Sequence, residues 1–138
     1  MKTIDDIAQE IDIKIVHLTP SIIDELKMNI NDCYDNSFIC GDDEIYIGIY
    51  ENPELELISF FHEIGHTLID QDFMKKWEYN TLVIELECWS RGIEFARSHG
   101  VLFSDEAIEW GYKKGLSYVG HDERENSSYD KKKLWKYK

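Results

Sequence analysis

Hydrophobic and polar residues follow helical and strand spacings in turn along the first part of the chain. Thr3 precedes an apolar stripe at helical spacing over residues 4–11, which predicts an N-cap and a first helix. Residues 11–18 alternate between apolar and polar and predict a strand. A Thr-Pro pair then predicts the start of a second helix over residues 20–31.

The middle and the end of the chain predict a β-hairpin followed by three helices. Residues 34–50 are β-like and are interrupted by a Gly-Asp-Asp turn at residues 41–43. Helices are predicted over residues 52–70, 81–99 and 104–114, with a polar and aromatic loop between the first two. This order predicts an α+β fold in which helices pack on a small antiparallel or mixed sheet.

The length and composition suit one compact domain. The chain has 138 residues, of which 43% are hydrophobic and 13% aromatic, enough for a packed core. We expect the domain to span residues 1–120 and residues 121–138 to form a flexible polar and basic tail.

The charge of the chain is strongly negative and unevenly placed. Its 28 acidic and 15 basic side chains give a net charge of −13. Residues 131–138 contain five lysines and no acid, so the remainder carries 28 acidic and ten basic groups, a net charge of −18. A surface of this sign argues against nucleic acid as a partner, because DNA and RNA binders neutralise phosphates with Lys and Arg.

Membrane insertion and export are also unexpected. No stretch approaches the run of about 18 apolar residues that a membrane-spanning helix needs. The first ten residues are acidic and lack the apolar segment of a signal peptide. The three cysteines, Cys33, Cys40 and Cys88, match no paired CxxC zinc pattern. We therefore expect a reduced, cytoplasmic protein.

The segment with the clearest chemistry is HEIGH, residues 62–66, inside the helix predicted over residues 52–70. Residues four apart lie one above the other on a helix, so His62 and His66 can reach one metal ion. Glu63 lies beside them, where it can take a proton from a water that attacks a substrate. Zn²⁺ favours this nitrogen and oxygen ligand shell, although Mn²⁺ or Fe²⁺ could occupy the same ligands.

A catalytic zinc site needs a third protein ligand and keeps one position open. Glu85 and Glu87 are the candidates on the next predicted helix, and on a helical wheel they point about 160° apart. Glu85 falls within the broad apolar arc of that helix and Glu87 within the polar arc. Because an unpaired buried carboxylate is costly, Glu85 is the expected ligand and Glu87 the second choice.

The sequence HEIGH followed by ELECWSRG resembles the ImmA/IrrE family of small zinc metallopeptidases, whose pattern is HExxH and then ExxAxxxA on the following helix. The resemblance covers about residues 45–97. It implies the following roles, residue by residue: His62 and His66 as histidine ligands, Glu63 as general base, Glu85 as acidic ligand, and Cys88 and Gly92 at the small positions.

The resemblance also implies a fold and an activity. The fold would be a minimal, gluzincin-like metallopeptidase, in which the sheet with its hairpin packs against the HExxH helix and the following ligand helix. The activity would be hydrolysis of a peptide bond in a specific regulatory protein, such as the transcriptional repressor of a phage or mobile element. The strand EIYIGIY, residues 44–50, would run beside the cleft and bind substrate as an added strand.

Two residues depart from the family pattern, and one role is left open. Cys88 stands where Ala is usual, and Trp89 replaces the customary Asn or Asp. A peptidase also needs a donor for the oxyanion that develops during hydrolysis. Five residues could supply it, and the sequence does not choose among them: Tyr79, Tyr112, Tyr118, His99 and His121.

A second class of function fits the same sequence. The chain could be a peptidase-like module, catalytically weak or inactive, that binds and sequesters a protein partner. Its acidic body would then attract a basic protein or imitate nucleic acid. Replacement of Glu63 by Gln separates the two classes, because only a peptidase would lose its effect.

Overall fold

A three-stranded mixed sheet forms one side of the core. The structure is a computed structural model that describes residues 3–41, 43–78 and 80–117. The strands are β1 (Lys14–His17), β2 (Ser37–Cys40) and β3 (Glu44–Ile47), in the spatial order β1–β3–β2. Strand β1 runs parallel to β3, and β2 forms the predicted hairpin with β3. The expected tail at residues 121–138 lies outside the described residues.

The described helices follow the order that the sequence predicts, with two additions, a 3₁₀ helix and one short α-helix. They are α1 (Ile4–Glu10), α2 (Pro20–Glu25), a 3₁₀ helix (Ile30–Cys33), α3 (Pro53–Leu68), α4 (Gln71–Lys76), α5 (Thr81–Ser98) and α6 (Asp105–Leu116). Helix α3 packs on α5, on α6 and on strands β2 and β3. The predicted compact α+β fold is therefore confirmed. None of the described helices is long and apolar enough to cross a membrane.

Helix α3 lies between two parts of the hydrophobic core. Phe60, Phe61 and Ile64 pack in one cluster with residues of α1 and β3. Ile58 packs in a second cluster with residues of α5 and α6. All four side chains are at most 1% exposed. Burial on two sides sets the rotation of α3 about its axis, and hence the direction in which its polar residues point.

Two glycines allow the backbones of α3 and α5 to touch. A Cβ atom on Gly65 would lie 2.0 Å from the carbonyl oxygen of Cys88, and one on Gly92 would lie 2.1 Å from that of Phe61. Real Cβ atoms essentially never approach another heavy atom so closely, so only glycine fits at either position. This close approach sets the distance between the two helices.

A carboxylate joins the first turns of α3 and α6. Asn52 caps α3 by accepting a hydrogen bond from the Glu54 N–H, and Ser104 caps α6 by accepting one from the Ala107 N–H. The Glu54 carboxylate in turn accepts hydrogen bonds from the hydroxyl of Ser104 at 2.6 Å and from its N–H at 2.9 Å. Both predicted helix starts are confirmed, and the link between them holds α6 against α3.

The second helix is shorter than predicted. Helix α2 ends at Glu25, and the chain then turns at Lys27, whose φ is +57°. The turn brings Met28 and Ile30 into contact with the cluster that contains Ile23. The contacts of these two partly buried apolar side chains with the cluster favour the turn, whereas helical spacing alone would have continued the helix.

The loop predicted between α3 and α5 contains helix α4. Asp70, predicted as the end of α3, accepts a hydrogen bond from the Phe73 N–H at 2.7 Å and so caps the additional helix. The guanidinium carbon of Arg91 on α5 lies 5.7 Å from the centre of the Phe73 ring. A segment without an apolar stripe thus becomes helical through its cap and a contact with α5.

Candidate metal centre

The HEIGH segment lies in the second half of α3 and presents three candidate donors close together. The ligand atoms of His62, Glu63 and His66 all lie within 4.8 Å of one another. The two imidazole rings are 4.9 Å apart between centroids, and Glu63 is buried. This His-Glu-His group could hold a metal ion.

Glu85 brings a second carboxylate to the histidines from α5. Its Oε2 lies 2.8 Å from Nε2 of His62, and its Oε1 lies 3.5 Å from Nε2 of His66. Glu63 approaches Nε2 of His66 less closely, at 3.8 Å. Imidazole nitrogens and carboxylate oxygens that lie this close together are the kind of donors that could hold a metal ion. The structure thus brings together the four residues predicted for the site, and their roles stay predictions.

The two carboxylates have pKa values displaced in opposite directions. Burial raises the pKa of Glu63 to about 7, a shift that the charge of His62 opposes and that of Glu85 reinforces. Burial also disfavours the ionised form of Glu85, but its hydrogen bond with His62 and the charges of both histidines hold its pKa below the ordinary value. A pKa near neutrality suits a general base, and a lowered pKa suits a ligand that must be ionised.

His66 is in an environment that favours the neutral imidazole. Burial lowers the pKa of His66, and the charge of His62 lowers it further, whereas Glu85 opposes the shift. Nδ1 of His66 lies 3.3 Å from Sγ of Cys88. A neutral imidazole carries a proton on one nitrogen only. If Nδ1 of His66 carries it and donates to the sulfur, Nε2, on the side of Glu85, has no proton and can bind a metal ion. Cys88 therefore occupies the place of the partner that a metal-ligating histidine usually has on its second nitrogen.

Trp89, the other departure from the family pattern, contacts the other histidine. Its indole stacks on the imidazole of His62 and is almost completely buried. Trp89 also makes an edge-to-face contact with Trp110 of α6. Both departures in the second motif therefore lie against the two candidate histidine ligands.

Glu87, the second choice for the third ligand, is directed away from the histidines. It is 3% exposed, although the helical wheel places it on the polar arc. Arg91 donates from Nε to its Oε1 at 3.1 Å, and from a terminal nitrogen to the Leu68 carbonyl at 3.0 Å. Arg91 thus links α5 to the end of α3, and this pairing accounts for a carboxylate buried outside the candidate site.

A cleft of about 290 Å³ opens beside the histidines and is bordered by β2. Its lining residues are Asn36, Ser37, Phe38, Ile39, Ser59, His62, Glu63, His66, Glu85, Trp89 and Lys114. The prediction that EIYIGIY, residues 44–50, borders the cleft is wrong. That segment contains β3, which lies between β1 and β2 and has both edges paired, so the edge strand β2 lies beside the cleft instead.

The cleft also contains a lysine that the sequence pattern does not single out. Lys114, in the last turn of α6, lines the cleft, and its Nζ donates a hydrogen bond to the carbonyl oxygen of Asp35. Burial lowers the pKa of Lys114, whereas the charges of Asp35 and Glu63 raise it. No sequence signal marks this residue, since a lysine in the last turn of a helix is usually a solvated partner of the helix dipole.

The residues considered as oxyanion donors lie elsewhere or outside the described chain. Tyr112 packs with the cluster between α5 and α6. His99 follows the end of α5 and lies 3.7 Å from Glu10. Tyr79, Tyr118 and His121 lie outside the described residues.

Comparisons with family models, curated proteins and solved structures find no match for this chain. The resemblance to the ImmA/IrrE family is therefore one of motif and spacing. The structure adds to it a His-Glu-His group that could hold a metal ion, formed by His62, Glu63 and His66.

Proposed function

We propose that this chain is a zinc-dependent metallopeptidase that hydrolyses a peptide bond in a specific regulatory protein, such as a transcriptional repressor. The observation that carries this proposal is the contact of Glu85 with both His62 and His66, because it adds a carboxylate from α5 to the histidine pair of α3. Three protein ligands and one open position are typical of catalytic zinc sites. The motif resemblance to the ImmA/IrrE family supports the same assignment.

In this proposal Glu63 is the general base. Zinc, held by His62, His66 and Glu85, would polarise the scissile carbonyl and acidify a water molecule. The Glu63 carboxylate accepts a proton from the attacking water and delivers it to the leaving amine nitrogen. Burial raises the pKa of Glu63 to about 7 in the metal-free site, so this carboxyl group can hold a proton there near neutral pH.

The substrate would bind along β2. An extended peptide can add to the unpaired edge of a strand through main-chain hydrogen bonds, and side-chain pockets then give specificity. Strand β2 pairs with β3 on one side, and Ser37, Phe38 and Ile39 of β2 line the cleft. This arrangement favours an extended segment of a target protein, such as a linker between domains.

Measurement of the metal content tests whether the chain binds zinc through the proposed ligands. Plasma mass spectrometry on protein purified without a histidine tag should find about one zinc per chain, and His66→Ala and Glu85→Gln should lose it. Glu94→Gln, on an exposed position of α5, is the matched control and should keep its zinc. Absence of metal from the wild type, even after zinc is offered, would contradict the proposal.

A cleavage assay tests whether the chain hydrolyses peptide bonds. The zinc-loaded wild type is incubated with a library of peptides of natural sequence, and new termini are identified by mass spectrometry. Glu63→Gln should keep its zinc and form no new termini. A wild type that holds zinc but cleaves no peptide would contradict peptidase activity and favour the sequestering module, whose acidic body would bind a basic protein.

A further inference from the structure

Lys114 is the only lysine or arginine among the described residues that line the cleft. The other ionisable lining residues are the four residues of the candidate metal site: His62, Glu63, His66 and Glu85. A fixed ammonium group therefore lies in the same 290 Å³ space as the groups proposed to act on the peptide bond.

Two contacts hold the Lys114 side chain in this place. Its Nζ lies 4.8 Å from the centre of the Trp110 ring, a cation–π distance. The same Nζ donates to the carbonyl oxygen of Asp35, in the loop that leads into β2. An ammonium group has three N–H donors, and the hydrogen bonds found among the described residues use one of them. Lys114 is thus held by α6 and by the cleft wall while it keeps donors for a ligand.

We propose that Lys114 is a catalytic residue that stabilises the oxyanion formed on the substrate carbonyl. The inference depends on the proposed peptidase function. It assigns the stabilisation of the oxyanion to a residue of α6. The two described candidates for this role, Tyr112 and His99, pack elsewhere in the fold. Preorganised donors aimed at the developing charge are among the largest contributions to catalysis of acyl transfer.

In the proposed reaction Lys114 stabilises charge and takes no part in proton transfer. The water oxygen forms a bond to the carbonyl carbon, and the π electrons of the carbonyl move onto its oxygen. Glu63 takes the proton from the water. The oxyanion is stabilised by the charge and N–H groups of Lys114 and then reforms the carbonyl as the C–N bond breaks. The amine nitrogen receives the proton from Glu63, and Lys114 leaves the cycle unchanged.

The experiment must distinguish stabilisation of the oxyanion by Lys114 from a purely structural role of this residue. The contact with Asp35 could serve only to hold the loop before β2 against α6. Lys114→Gln separates the two roles, because a glutamine amide can still donate to the Asp35 carbonyl but carries no charge. Lys114→Arg keeps the charge. Lys113→Gln removes a neighbouring charge from a side chain that is 72% exposed and is the matched control.

The probe is N-phosphoryl-leucyl-tryptophan, whose tetrahedral anionic phosphoryl group imitates the oxyanion. Its Kd is measured by calorimetry on zinc-loaded protein. We expect Lys114→Gln to weaken binding about 10- to 100-fold, the loss of one charged hydrogen bond. Lys114→Arg should stay within about threefold, and Lys113→Gln should match the wild type. On a peptide that the wild type cleaves, Lys114→Gln should lower kcat about 100-fold and leave KM nearly unchanged.

The outcomes distinguish failure of this inference from failure of the proposed function. Zinc missing from the wild type would overturn the metallopeptidase proposal and this inference with it. Zinc retained, with equal Kd and equal kcat in Lys114→Gln, would overturn the role of Lys114 alone. A rise in KM without a fall in kcat would also overturn it, because Lys114 would then bind a carboxylate of the substrate rather than the oxyanion.

Discussion

The indole of Trp89 and the imidazole of His62 lie parallel, with 5° between their planes and 4.0 Å between their centroids. Trp89 meets Trp110 at 88°, so the indole is held from a second direction. A histidine that ligates a metal usually has its ring orientation set by a hydrogen bond to a neighbouring polar group. In His62 the buried indole face of Trp89 constrains the plane of the ring, in addition to the hydrogen bond between its Nε2 and Glu85.

Loss of the Trp89 ring should weaken metal binding. Trp89→Leu should lower zinc affinity about tenfold or more, because the His62 ring is no longer held in one plane. It should also lower the free energy of unfolding by about 3 kcal/mol through the cavity it leaves. Affinity is measured by competition with a fluorescent chelator, and stability by urea unfolding without metal.

Trp110→Leu is the matched control for this prediction. Trp110 contacts Trp89 edge-on, so its loss should destabilise the fold while zinc affinity changes much less. Equal zinc affinities of the Trp89→Leu variant and the wild type would show that the stacked ring does not orient His62.

Cys88 should act on the metal through His66. Cys88→Ala removes the sulfur that lies 3.3 Å from Nδ1 of His66 and should lower zinc affinity about tenfold. Cys88→Ser keeps an acceptor there and should recover most of the affinity. Cys33→Ala, at a cysteine buried in the cluster that contains Leu18 and Ile23, should leave zinc affinity unchanged. A Cys88→Ala variant with full affinity would contradict the role of the thiol.

The raised pKa of Glu63 predicts a pH-dependent stability of the metal-free protein. Between pH 4.5 and about 7 the folded state keeps a proton on Glu63 that the unfolded state releases. The contribution of Glu63 to stability is therefore fully present below pH 4.5 and is lost as the pH rises towards 7. Glu63→Gln stays neutral at every pH and avoids this loss.

Thermal melting curves recorded in EDTA test whether the contribution of Glu63 to stability falls as the pH rises. Above pH 7 the Tm of Glu63→Gln should exceed that of the wild type by about 5 to 10 °C, and the difference should shrink as the pH falls to 5. Glu25→Gln, at an exposed position of α2, should leave the pH profile of Tm unchanged. A difference that is constant over pH, or that grows on acidification, would contradict the raised pKa.

Arg91 should be important for stability rather than for metal binding. Arg91→Leu leaves the buried carboxylate of Glu87 without its 3.1 Å partner and should cost about 3 to 5 kcal/mol in the free energy of unfolding. The double variant Arg91→Leu/Glu87→Leu should recover most of that loss, because the buried carboxylate is removed together with Arg91. Arg97→Leu, at an exposed position of the same helix, is the control and should change stability by less than about 0.5 kcal/mol.

Helical periodicity was enough to predict the grouping of the candidate site. His62 and His66 share a face of α3 because they are four residues apart, and the apolar arc of α5 places Glu85 opposite them. The helical wheel predicted an exposed position for Glu87, and this was wrong. Glu87 is buried because it pairs with Arg91, which in turn donates a hydrogen bond to the end of α3, a contact that the wheel of one helix does not include.

Features that depend on distant parts of the chain could not be predicted. Alternation identifies both strands of the hairpin, but the position of β3 between β1 and β2 follows from the parallel pairing of residues 14–17 with residues 44–47. The place of Lys114 in the cleft likewise depends on how α6 packs near Asp35, and nothing in its neighbours along the chain indicates this.

The backbone contacts at Gly65 and Gly92 have a thermodynamic consequence for metal uptake. Because α3 and α5 already touch, the donors on the two helices are held at their spacing by the fold rather than by the ion. Zinc binding would then stabilise the native state by mass action alone, in proportion to the logarithm of the free zinc concentration once the site is saturated. The denaturant dependence of unfolding, its m-value, would be the same with and without zinc, because the surface exposed on unfolding does not change.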